Sequence, residues 1–143
     1  MQFGFLLLIA TMHYAHQELR ETGLIGEWRI KQLTLMAIDE PLDKSDWRLI
    51  FLDDGTMLAR SDATKKASKD CTFTINRKTS PYEINFIYNQ GRPDQYVLKG
   101  IFKIEKGTLS LCRASSSKTS RPTEFLSSPD SLNLLIICVR VSK

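Results

Sequence analysis

The sequence predicts an all-β protein: an eight-stranded antiparallel up-and-down barrel with a short N-terminal helical turn. Three observations carry this. Apolar residues alternate with polar ones on both sides of a glycine-containing turn in the stretch GIFKIEKGTLSL, residues 100–111. Short strand-like runs recur along the chain, mostly joined by brief turn signals, and no helical pattern exceeds a turn or two. Finally, residues 131–141 carry Leu132, Leu134, Leu135, Ile136, Ile137 and Val139, a run apolar on both faces that suits a strand closing a sheet.

The central hairpin comes first. Phe102 and Ile104 alternate with Ile101 and Lys103, and Leu109 and Leu111 alternate with Thr108 and Ser110. Gly107 supplies the positive φ that a tight hairpin turn demands. A lone hairpin is marginal in water, so further strands must cover its apolar face.

In chain order, residues 17–24 form one helical turn ending at Gly23, and Gly26-Glu-Trp28 opens the first strand. Trp28 and Ile30 share a face; the apolar phase then shifts to Leu33 and Leu35, which predicts a bulge or bend near Gln32. Residues 37–44 are a loop. In the second strand, 47–52, Trp47, Leu49 and Phe51 face inward and Arg48 outward. Asp53-Asp54-Gly55 is a tight-turn signal leading to the third strand, 56–60. After a Lys-rich loop, Cys71-Thr-Phe-Thr-Ile75 forms the fourth strand, and Ile84, Phe86 and Tyr88 mark the inner face of the fifth. The sixth strand covers 95–104, the seventh 108–113, and the last 131–141. Strands of this number fit a sandwich or a barrel; a barrel removes both exposed edges. An interior of eight strands is either filled by side chains or holds one small ligand.

Composition restricts the function. The 143 residues fit one domain, assigned here to 16–143, with 42% apolar and 25% charged residues. The net charge of +4 is scattered, and no basic helix or aromatic–basic array is present. Solubility explains that charge, and nucleic acid is not an expected partner. Residues 3–10, FGFLLLIA, are too short to span a bilayer, which needs roughly 20 apolar residues. They fit the core of a secretory signal with cleavage after Ala15, which predicts an exported protein; the alternative is an apolar segment packed on the domain. The three cysteines, Cys71, Cys112 and Cys138, match no metal-ligand spacing, and each reads as a small apolar strand residue; the alternative, in an exported protein, is one disulfide whose pair the sequence does not select.

A family resemblance follows from several of these segments. Leu24-x-Gly26-x-Trp28 resembles the G-x-W opening of lipocalins and other calycins. The strands of residues 100–112, followed by Arg121-Pro-Thr-Glu-Phe125, are similar to an uncharacterised, planctomycete-rich bacterial family with a lipocalin-like domain, as is CTFTINRKTSPYEINFIY, residues 71–88. The resemblance covers about residues 24–143 and implies a lipocalin/calycin-like barrel. That family usually has a small residue where Cys71 stands, and it carries no settled activity. In lipocalins a buried Trp near the start packs against a late Arg and closes one barrel end. The resemblance therefore implies a structural closure made by Gly26, Trp28 and Arg121, with the guanidinium stacked on the indole.

Candidate chemistry is sparse. The only histidines, His13 and His16, lie beside the apolar N-terminal run, which argues against Ser-His-Asp, Cys-His and zinc chemistry. Asp53 and Asp54 read as a turn, Glu124 as a partner for Arg121 or a turn cap, and Ser115–Ser117 lack a nucleophile context. No catalytic residue, cofactor or metal site is expected, and no transmembrane span. The inward set also includes Trp28, Ile30, Leu49, Ile75, Ile84 and Leu98. Within it, Trp47, Phe51, Phe73, Phe86, Tyr88 and Phe102 are the candidate binding surface for a small hydrophobic or amphipathic ligand. The alternative is a solid barrel acting as a protein-interaction or inhibitor module, with the loop 115–125 as its contact.

Overall fold

A computed structural model describes residues 17–41 and 46–142. The expected signal segment, 1–15, lies outside the described residues. Ten strands make one antiparallel sheet: β1 (Gly26–Leu35), β2 (Ile38–Asp39), β3 (Trp47–Phe51), β4 (Thr56–Ser61), β5 (Lys66–Ala67), β6 (Cys71–Asn76), β7 (Tyr82–Tyr88), β8 (Tyr96–Glu105), β9 (Thr108–Ala114) and β10 (Asn133–Arg140). Eight of them close into a barrel, while β2 and β5 are two-residue additions paired to β1 and β4. Each long strand pairs with its sequence neighbour, and β10 returns to β1.

The closing seam runs from Trp28↔Arg140 to Leu35↔Leu134. Its register shifts between Ile30 and Gln32, so Lys31 is an extra residue. That single insertion moves the inward phase from Trp28 and Ile30 to Leu33. The β8–β9 hairpin turns through Lys106 (φ 50°) and Gly107 (φ 75°), two successive left-handed residues whose twist matches the flanking strands. The seam between β4 and β6 is much shorter: only Thr56↔Thr72 and Met57↔Cys71 pair, and β4 then turns to β5.

A meander of this kind sorts the strand ends between two rims. The starts of β1, β4, β7 and β9 share one rim with the ends of β3, β6, β8 and β10. The helical turn of residues 17–21 is tied across it. Arg20 pairs with Asp53 (2.5 Å) beyond β3, and Glu21 with Arg77 (2.6 Å) beyond β6. Leu19 and Leu24 pack beneath on the core. The core continues through Trp28, Leu49, Phe51, Phe73, Ile84, Phe86, Phe102, Leu109, Leu111 and Cys138. Phe51 and Phe73 meet edge to face with centroids 5.2 Å apart, as do Tyr82 and Phe102 at 5.6 Å.

Candidate functional site

Trp28 marks the closed end. Its side chain is fully buried, and its indole N–H donates to the Leu24 carbonyl (2.8 Å). A guanidinium covers the ring 4.1 Å from its centroid, and it belongs to Arg140. Sequence reasoning assigns that place to Arg121; the register explains the correction. Arg140 is directly cross-strand from Trp28, whereas Arg121 lies in the 115–132 segment, which leaves β9 at the opposite rim. Arg140 also donates to the carbonyls of Ile25 (3.2 Å) and Gly23. Gly26 lies against the same guanidinium: its φ is 134°, and a Cβ there would stand 2.7 Å from Arg140 Nη1.

Arg121 instead fastens a strap to the outside of the wall. It donates to the carbonyls of Ile84 (2.9 Å) and Gly100 (2.8 Å) and to Asn85 Oδ1 (2.7 Å), and it pairs with Glu83 (3.1 Å). Lys103 lies 5.0 Å from the centre of the Phe125 ring, and the Cys112 thiol donates to the Leu126 carbonyl (3.6 Å). Beneath this strap Ile101, Cys112 and Ala114 are buried outside the main core cluster. Gly100 is needed where β9 crosses closely: an added Cβ would meet the Cys112 carbonyl oxygen at 2.8 Å.

The second rim is open. A pocket of about 490 Å³ is walled by Tyr88, Tyr96, Leu98 and Arg113 from the barrel, with Ser68, Lys69 and Ser115–Ser117 at its edge. The Tyr88 and Tyr96 rings stack, with centroids 5.0 Å apart and planes 8° apart. Arg113 follows Leu109 and Leu111 in the inward phase of β9, opposite Gly100 on β8 and Leu134 on β10. Burial lowers its pKa, though the residue stays a cation at neutral pH. Burial also pushes the Tyr88 phenol up to about 12 and the Cys71 thiol up to about 11, so both neighbours are neutral there.

Of the six expected ligand-contact residues, the structure brings only Tyr88 to this pocket. Phe51, Phe73, Phe86 and Phe102 are buried core side chains, and Trp47 is half-buried against the same core. Sequence reasoning missed Tyr96 and Arg113 as site residues. For Arg113 a signal was present: it is a charged residue in phase with two leucines. For Tyr96 the signal was its place two residues before Leu98 on the same strand face.

All three cysteines are free and buried. Among the described residues no cluster of His, Cys, Asp or Glu is arranged to hold a metal ion, and no helix is long and apolar enough to cross a membrane. The chain matches no known family model, no curated protein and no solved structure.

Proposed function

We propose that this protein is a lipocalin-like binding protein that takes a small hydrophobic or amphipathic molecule into the open end of its barrel. The observation that supports the reading is the pocket walled by Tyr88, Tyr96 and Leu98. Its volume falls in the range of about 300–1,000 Å³ usual for small-molecule sites. The plugged opposite end leaves this rim as the natural point of entry, and the Gly26–Trp28–Arg140 closure supports the lipocalin-like assignment. The rim also exposes Met36 and Leu132, apolar side chains beside the strand ends.

Titration with the neutral fluorophore N-phenyl-1-naphthylamine tests this. Saturable one-site binding is expected, weakened at least about ten-fold by Tyr96→Asp, the loss of a partly exposed stacking surface worth roughly 1.4 kcal/mol. Fluorescence that rises without saturation, or that Tyr96→Asp leaves unchanged, overturns the reading.

A further inference from the structure

The ligand class can be narrowed, on the assumption that the open end binds a small molecule. Arg113 projects from β9 into the barrel mouth, and its side chain is largely withdrawn from water. Among the described residues its one hydrogen bond goes from Nη1 to the carbonyl of Ala114 (3.0 Å), and no carboxylate pairs with it. Three acidic side chains of the neighbouring loops have other partners. Asp62 pairs with Arg48, Asp70 with Arg60 (2.8 Å), and Asp94 with Arg92 (3.5 Å).

A guanidinium drawn out of water without a counter-ion is costly, because only its own strand and the pocket solvent offset the lost hydration. A bound anion would recover that cost and fill a two-pronged donor. The surroundings are otherwise apolar or neutral: the stacked Tyr88 and Tyr96 rings and Leu98 line the same pocket, and Lys69 adds a second positive charge at its edge.

We propose that the pocket recognises an amphipathic monoanion, with a carboxylate-type head on Arg113 and an apolar body against Tyr88, Tyr96 and Leu98. The cation fixes the direction in which the molecule enters, head first toward β9.

The test compares cis-parinaric acid with its methyl ester, both read by fluorescence, on the full-length protein. The acid is expected to bind about ten-fold more tightly than the ester, the scale of one charge-assisted contact. Arg113→Met should abolish the preference, so that this variant binds acid and ester alike, while Arg113→Lys should retain part of it. Equal affinity of acid and ester for the unaltered protein overturns the anion assignment and leaves the binding function standing. Failure of both to bind overturns both. The comparison on the unaltered protein decides the matter even if Arg113→Met does not fold.

Discussion

Trp28 is the residue on which the closed end depends. Its indole is fully shielded, its N–H is satisfied by Leu24, and Arg140 lies across its face. Trp28→Ala leaves a large cavity beneath a guanidinium that loses its platform. The expected cost is about 3–5 kcal/mol, checked by urea unfolding. The size of this side chain and the G-x-W spacing made Trp28 legible from sequence. Its partner was not, because more than one arginine late in the chain satisfies the same description. Only the pairing of β1 with β10 distinguishes Arg140 from Arg121. Arg113 was concealed for a different reason. Alternation identifies which side of a strand a residue occupies, and a cation on the inner side reads as the point where a strand stops.

Among the elements, β1 shows how one residue sets the phase of a strand. Trp28 and Ile30 lie on one side of the Lys31 bulge, Leu33 on the other, and all three belong to the core. Deleting Lys31 removes the extra residue while leaving Ile30 opposite Cys138 and Leu33 opposite Ile136. Deleting Arg29 instead turns Trp28 or Ile30 outward, because a one-residue slip exchanges the two faces. The expected outcome is a folded ΔLys31 protein with a strand-rich circular dichroism spectrum and a cooperative melt, against an unfolded or aggregated ΔArg29 protein. The bulge was readable because its two apolar halves are out of step. The outer strap was not: the Ser-rich start of the 115–132 segment has no periodicity, and the contacts of Arg121 depend on where β7 and β8 lie.

For the whole molecule, barrel closure was legible because β10 is apolar on both faces and no other element could cover it. Which part of the interior stays open was not, since inward aromatic residues look alike in sequence whether they fill a core or wall a pocket. Burial also sets the response of the molecule to alkali. The Cys138 and Cys71 thiols rise from 9.0 to about 12 and about 11, and the Tyr88 phenol rises from 10.0 to about 12. In the unfolded chain these groups lose their protons near pH 9–10, whereas the folded chain retains them, so the unfolded state binds fewer protons above that point. Stability from these groups is therefore intact below about pH 9 and is lost as pH climbs toward 12. Chemical denaturation at stepped pH should show a midpoint that begins to fall near pH 9. A midpoint level to pH 11 would contradict the burial of these groups.

The two-pair join between β4 and β6 gives this cylinder a lengthwise weak line. Elsewhere the wall is laced by runs of four to seven paired residues, as in the five of β3–β4 and the seven of β7–β8. Thermal parting of the wall will start where the fewest rungs must break. That line meets the open rim at Cys71, beside Tyr88. The tube thus has one side on which it can unzip while its other seams stay laced.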